Sequence, residues 1–162
     1  MINIKDISTK KPYQLFLKYL ENAKENNQKP IDAISISSFN KSTNEVESRF
    51  VNLKYILKNK WIFFSNYDSP KAQSFNLHNQ ISALIYWDSI DVQIRLKAKI
   101  QKTSNEFSDQ HFTSRKKEKN ALAISSNQSK KIDSYREVEK NYNTVIENHK
   151  DFNKRPPYWG GY

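Results

Sequence analysis

The sequence of 162 residues has no cysteine, and its two glycines are Gly160 and Gly161. Without cysteine there is no disulfide framework, no thiol nucleophile and no thiolate metal site. Without an internal glycine there is no Walker-type phosphate loop and no dinucleotide-binding glycine fingerprint. Any phosphate group must therefore be held by side chains and by ordinary helix or strand backbone.

Histidines and long apolar runs are also scarce. The three histidines, His78, His111 and His149, are far apart and form no HExxH motif, so we predict no metal site. The longest apolar run, Ile81–Trp87, is too short to span a bilayer. The first residues contain no apolar signal core. We therefore expect a soluble, cytoplasmic protein with no membrane partner.

Positive charge and aromatic side chains are abundant. There are 27 Lys and Arg against 17 Asp and Glu, a net charge of +10, and 13% of the residues are aromatic. Aromatic residues recurring along the chain indicate a packed core rather than disorder. The lysines are scattered, with one cluster at Arg115–Lys119, and no nucleic-acid-binding motif is present. Nucleic-acid binding is therefore the weaker interpretation of the charge, and a phosphorylated small molecule would use the same cations.

Hydrophobic periodicity predicts a helix, a set of strands and then further helices. From Val92 to Ile100 apolar and polar residues alternate, which is typical of a half-buried strand. Residues that commonly begin helices occur at Ser69, Asn105 and Asp133. The predicted strands are 32–39, 46–57, 61–65, 81–87 and 90–100, and the predicted helices are 11–27, 70–78, 105–114, 118–125 and one after Asp133.

The order of these elements predicts a mainly β protein with peripheral helices and an antiparallel barrel. We expect a single domain over 1–162. It would consist of an N-terminal helix at 11–27, a barrel at about 32–104, a helical segment at about 105–150 and an extended segment at 151–162.

Six segments in order carry a family resemblance. They are PYQLFLKYLENA (12–23), RFVNLK (49–54), FFSNYDSPKA (63–72), YWDSIDVQIRLKAKI (86–100), FTSRKKEKNALAISSNQS (112–129) and PPYWGGY (156–162). Together they resemble the pyridoxamine 5′-phosphate oxidase family, the FMN-binding split barrels. The resemblance implies a six-stranded antiparallel split barrel and a homodimer with FMN at its interface. It further implies oxidation of pyridoxine or pyridoxamine 5′-phosphate to pyridoxal 5′-phosphate, with dioxygen as electron acceptor.

The resemblance also implies a set of cofactor contacts. Arg49 and Lys71 would pair with the FMN phosphate, and Gln93 would hydrogen-bond the isoalloxazine edge. Independently, a lysine in the first turn of a helix opposes the helix dipole, an arrangement that suits a bound anion. The implied cofactor-binding residues are Arg49, Phe50, Val51, Asn52, Phe64, Ser65, Lys71, Gln93, Gln128 and Ser129. Without the resemblance, the same residues would be interpreted as exposed cations on strands, as side chains of the strand core and as a polar turn.

The implied substrate-phosphate contacts are Lys54, His111, Arg115 and Lys119. An odd separation along one strand places Lys54 on the face opposite Arg49. The other three recur every four residues, and the family usually has Tyr, Arg and Ser in this segment. Arg115 matches that pattern, and the His and Lys replacements can still donate hydrogen bonds, with a histidine adding pH dependence. From the pattern alone, these residues form a solvated basic face.

The sequence departs from the family at several points. Pro70 and Val92 stand where the family often has Arg. The family also continues with a Trp-bearing strand and an Arg-x-His-x-x-Arg-like stretch, which have no counterpart before Tyr162. These departures keep open an FMN-binding split-barrel protein with another substrate or a reductase role. No side chain is assigned as catalytic, because the flavin carries the redox chemistry.

Overall fold

The computed structural model describes residues 2–126 and 128–162. The chain forms two compact units that are not contiguous in sequence. The first comprises the residues up to Phe64 together with Ser74–Ile100, and the second comprises Ser65–Gln73 together with Gln101–Tyr162. Among the described residues, no helix is both long enough and apolar enough to cross a membrane.

The first unit is built on an antiparallel sheet with the strand order β6-β5-β2-β3-β4, and β1 adds to β3 in parallel. The last two residues of β4 and the first half of α2 belong to the second unit. The elements are β1 (Asn3–Lys5), α1 (Lys11–Glu25), β2 (Ala33–Asn40), β3 (Glu45–Leu57), β4 (Lys60–Asn66), α2 (Pro70–Leu77), β5 (Gln80–Trp87) and β6 (Val92–Lys99).

The β5–β6 hairpin shows how the sequence determines this sheet. On β5 the residues Ile81, Ala83, Ile85 and Trp87 are buried, and the residues between them point away from the core. The turn places Asp91 in the left-handed region, with φ of 51°, a conformation that aspartate tolerates better than most residues. The alternation of side chains along each strand therefore fixes the register of the hairpin.

Aromatic packing joins α1 to the sheet. The Phe16 ring lies 4.6 Å from the Trp61 ring and 5.7 Å from the Trp87 ring, measured between centroids. The Trp87 side chain is fully buried, and its Nε1 donates a hydrogen bond to the carbonyl of Ile31 at 3.2 Å. These contacts form a core rich in aromatic side chains, which agrees with the composition.

The second unit contains α3 (Asn105–Thr113), α4 (Lys117–Ser125), α5 (Tyr135–Asn148) and β7 (Trp159–Gly161). Asn120 is fully buried and its Nδ2 donates to the carbonyls of Phe112 and Phe152, each at 2.9 Å. One amide thereby connects the end of α3, the start of α4 and the segment after α5.

The predicted elements are present with shifted ends, and the predicted fold class is confirmed. Some details of the prediction were wrong. The short strands β1 and β7 were not predicted as strands. Ser104 rather than Asn105 caps α3 through a 3.2 Å bond from Phe107 N, and α5 begins at Tyr135 rather than directly after Asp133. Short strands and cap positions depend on one or two residues, so periodicity defines them poorly.

Candidate functional site

A cavity of about 200 Å³ lies within the second unit. Two cations and one indole ring contribute to its wall, and none of the described residues that line it is acidic. Such a wall favours an anionic ligand with a flat apolar part. The lining residues are Asn66, Arg115, Lys119, Leu122, Ala123, Ser126, Gln128 and Trp159.

The Arg115 guanidinium is the best-placed anion donor of this cavity. Its carbon lies 4.5 Å from the centre of the Trp159 ring, and Nη2 donates to the Lys119 carbonyl at 2.8 Å. Nη1 is buried and finds no hydrogen-bond partner among the described residues. Burial lowers the pKa of Arg115 to about 10, so the side chain remains charged at neutral pH. A buried donor without a partner costs about 1–3 kcal/mol, and a ligand oxygen would remove that cost.

Trp159 is the residue of this site that the sequence analysis missed. The His111 imidazole is nearly parallel to the Trp159 ring, at 6° and with centroids 6.1 Å apart. Arg155, whose side chain is largely buried, donates to the Trp159 carbonyl and to Asp109. Trp159 follows directly after Pro-Pro-Tyr, a stretch with restricted backbone, and this position was the one signal in the sequence that could have indicated its role.

The predicted substrate-phosphate residues of the second unit are only partly brought together. Arg115 and Lys119 both line the cavity, whereas His111 is not among its lining residues and contacts Trp159 instead. Because α3 ends at Thr113 and α4 begins at Lys117, the three side chains do not share one continuous helix. The structure therefore places Arg115 and Lys119 at the cavity and His111 against Trp159, outside the set of lining residues.

Two predicted cofactor residues lie on a turn beside this cavity. Gln128 lines it, and its Oε1 accepts a 3.3 Å hydrogen bond from the backbone N–H of Asn66. Ser129 follows with φ of 65°, in the left-handed region. The amide of Gln128 is thus attached to the end of β4, and Ser129 lets the chain reverse direction.

Lys71 lies at the start of α2 in a cluster of hydroxyl groups. Its side chain is 9% exposed, and Nζ donates to Ser65 Oγ at 3.0 Å and to Ser69 Oγ at 3.1 Å. Ser69 Oγ in turn donates to the Asn66 carbonyl at 2.7 Å. An ammonium group, two hydroxyls and the positive end of a helix dipole form a donor set that fits a phosphate group.

In the first unit, Arg49 is held within the sheet. Its Nη1 donates to Ser38 Oγ at 2.7 Å, and its Nη2 forms an ion pair with Glu47 Oε2 at 2.6 Å. The neighbouring Phe50 projects from the other face of β3 with 76% of its surface exposed. Arg49 is therefore oriented by the protein before any ligand arrives.

The remaining predicted residues of the first unit are distributed over three strands, β3, β4 and β6. Phe64 packs against Tyr55 with ring centroids 6.2 Å apart, and Gln93 lies exposed on β6 opposite Tyr86. Val51 is half-buried and Asn52 is exposed. Their assignment to FMN stays a prediction.

Lys54 carries an ion pair of its own. Its Nζ lies 2.6 Å from Asp32 Oδ2, and both side chains are partly buried. Burial acts to raise the pKa of Asp32, but the hydrogen bond and the charge of Lys54 outweigh it, so the pKa lies below its ordinary value. Asp32 is therefore ionised at neutral pH and forms an ion pair with the Lys54 ammonium.

Comparison of the sequence with known proteins identifies the family. No family model matches. A pyridoxine/pyridoxamine 5′-phosphate oxidase of Hydrogenovibrio crunogenus is 31% identical over 151 residues, which are 93% of this chain and 69% of that protein. The chain belongs to this family. The enzyme of the same name from Burkholderia cenocepacia is 38% identical over 115 residues, or 71% of this chain and 54% of that protein. The chain thus spans about half the length of the Burkholderia enzyme that it matches.

Solved structures confirm the fold expected of the family. PhzG from Burkholderia lata, solved with tetrahydrophenazine-1-carboxylic acid, superposes with a TM-score of 0.84 at 18% identity, covering 93% of this chain and 74% of that one. A pyridoxamine 5′-phosphate oxidase-related, FMN-binding protein from Nostoc punctiforme gives 0.73 at 10% identity, covering 94% and 80%. The split-barrel prediction is confirmed. The expectation of FMN as cofactor agrees with membership in the family.

Proposed function

We propose that the chain acts in the FMN-dependent oxidation of pyridoxine or pyridoxamine 5′-phosphate to pyridoxal 5′-phosphate, with dioxygen as electron acceptor. The observation that carries this proposal is the buried, unpartnered Nη1 of Arg115 in a cavity that Lys119 also lines. Two cations suit a phosphate ester, which carries nearly two negative charges at neutral pH. Membership in the family supplies the substrate class.

Each group of donors would have a separate task in this reaction. Lys71, with Ser65 and Ser69, would hold the FMN phosphate. A contact of Arg49 with FMN is what the family resemblance implies, and its side chain is already oriented by Ser38. Arg115 would bind the substrate phosphate through two parallel hydrogen bonds, which its planar fork allows. The redox chemistry that FMN supplies when bound is acceptance of two electrons and a proton from the substrate 4′ carbon, with dioxygen as the final acceptor.

The Trp159 ring would have two effects on Arg115. It covers one side of the guanidinium at 4.5 Å, which keeps water away and strengthens the interaction of Arg115 with an anion. It also restricts the rotamers of a long side chain, so that less conformational entropy is lost when a ligand binds. The protein's contribution is therefore binding and orientation rather than proton transfer.

The test is steady-state turnover of pyridoxine and pyridoxamine 5′-phosphate with detection of hydrogen peroxide. We expect Arg115→Ala to raise KM by about 10- to 150-fold, because a charged hydrogen bond is worth about 1.5–3 kcal/mol. The matched control is Lys116→Ala, which removes a neighbouring exposed cation that does not line the cavity. An unchanged KM in Arg115→Ala would contradict the proposed role of the cavity.

A substrate panel separates this function from the alternative of another substrate or a reductase role. It contains unphosphorylated pyridoxine and an aromatic carboxylate, since the PhzG structure holds a carboxylic acid. Turnover that requires the phosphate group supports the proposal, and turnover of the carboxylate alone favours the alternative.

We also propose a homodimer, which sedimentation equilibrium would measure, and a cytoplasmic location.

A further inference from the structure

The ion pair between Lys54 and Asp32 goes beyond what the family resemblance implies. The resemblance gives Lys54 to the substrate phosphate, yet in the structure its ammonium already has an anion at 2.6 Å. The side chains are 31% exposed for Lys54 and 17% for Asp32. A pair this sheltered from water is weakened less by solvent and salt than a fully exposed pair.

The backbone around Asp32 is fixed by two hydrogen bonds. The carbonyl of Asp32 accepts from Leu53 N at 2.8 Å, which places it directly beside the residue before Lys54. The carbonyl of Ile31 accepts from Nε1 of Trp87, a fully buried residue. The carboxylate can therefore leave the ammonium only by rotating its own side chain, because the chain that carries it is anchored on both sides.

We propose that Asp32 is a specificity-determining residue: it is an internal anion that occupies Lys54 in the ligand-free protein and competes there with the phosphate of the substrate. The inference rests on the proposed function together with the contact between Lys54 and the substrate phosphate that the family resemblance implies. An ammonium group has three N–H donors, of which Asp32 takes one. A phosphate that approaches the remaining donors meets the negative charge of Asp32, and the repulsion grows with the charge of the ligand.

Asp32 therefore lowers the affinity of Lys54 for anions, and it does so most strongly for dianions. Replacing the carboxylate by an amide of the same shape should remove the charge repulsion, although the amide oxygen can still accept one N–H bond from Lys54. We expect Asp32→Asn to tighten binding of a phosphorylated ligand about fivefold, the factor that corresponds to about 1 kcal/mol for a partly exposed pair.

The experiment is a double-mutant cycle on the full chain with FMN added. The variants are Asp32→Asn, Lys54→Met and the double variant. The probe is 4-deoxypyridoxine 5′-phosphate, which has no group to oxidise and no aldehyde to react with lysine. Equilibrium dialysis measures its Kd, and 4-deoxypyridoxine without the phosphate is the uncharged comparator. Glu21→Gln is the matched control, since it breaks another 2.6 Å pair, with Lys24 on the exposed side of α1.

Tightening in Asp32→Asn that disappears in the Lys54→Met background, for the phosphorylated probe only, supports the inference. Unchanged or weaker binding in Asp32→Asn overturns it, as does equal tightening for the uncharged comparator or in the Glu21→Gln control. Absence of probe binding in every variant also overturns it. Turnover of pyridoxine 5′-phosphate is measured in parallel: if turnover persists while Asp32→Asn has no effect, the inference alone fails and the proposed function stands.

Discussion

Lys71 provides the sharpest test of the flavin site, because its charge is unfavourable for the helix that carries it. The ammonium lies in the first turn of α2, where the helix dipole presents its positive end, and the side chain is 9% exposed. Lys71→Met keeps the length of the aliphatic chain and removes the charge. The dipole relief favours the variant by about 0.3–1 kcal/mol. Loss of the two bonds to Ser65 and Ser69 disfavours it by about 1 kcal/mol each.

These opposing effects leave the stability of the ligand-free protein within about 1–2 kcal/mol of wild type. The affinity for FMN should change far more than the stability does. A charged hydrogen bond to phosphate is worth about 1.5–3 kcal/mol, so we expect the Kd for FMN to rise by about 10- to 150-fold. Riboflavin lacks the phosphate, and its Kd should stay unchanged.

The assay is a titration of visible absorbance and flavin fluorescence with FMN and, separately, with riboflavin. Lys11→Met is the matched control, since Lys11 is an exposed lysine in the first turn of α1. Equal losses for FMN and riboflavin in Lys71→Met would show that the site is merely damaged. An unchanged Kd for FMN would refute the assignment of Lys71 to the phosphate.

Three further predictions concern stability. Gly160→Ala should lower the Tm clearly in a thermal melt, because its Cβ would collide with the Tyr67 ring, and Tyr67→Leu should restore part of the loss. Asn120→Ala should cost about 2 kcal/mol in urea unfolding, since it leaves two carbonyls without their donor. Lys54 lowers the pKa of Asp32, so the pair stabilises the fold above about pH 3.9 and this contribution is lost as the pH falls through the lowered pKa. In an acid titration, the free energy of unfolding of Asp32→Asn should therefore equal that of wild type below that range and differ from it at neutral pH.

Periodicity was sufficient for the elements whose apolar residues alternate along a strand or recur on one side of a helix. β6 alternates polar and apolar residues, and the structure places a strand there at Val92–Lys99. The stripe of α1 likewise buries Phe16, Leu20 and Ala23. In these elements the polarity of each residue indicates which side of the element it occupies, so a single sequence is enough to predict the element.

The site was predicted less completely, because its geometry depends on residues far apart in the chain. Lys54 meets Asp32 across 22 residues, and Arg115 meets Trp159 at the other end of its unit. The four-residue spacing predicted that His111 and Arg115 share one helix. In the structure the chain leaves the helical conformation between α3 and α4, and His111 stacks on Trp159 instead of lining the cavity. Pairings of this kind arise from tertiary packing, which no local pattern encodes.

The interleaved division of the chain has a consequence for synthesis on the ribosome. Residues 65–73 leave the exit tunnel early, yet they belong to the unit that is completed last. Tyr67 N donates to the Tyr158 carbonyl, and Tyr67 Oη donates to the Gly161 carbonyl 94 residues downstream. The segment bearing Lys71 must therefore wait until residues 158–161 have been synthesised before it finds these partners, and contacts so distant in sequence slow its folding.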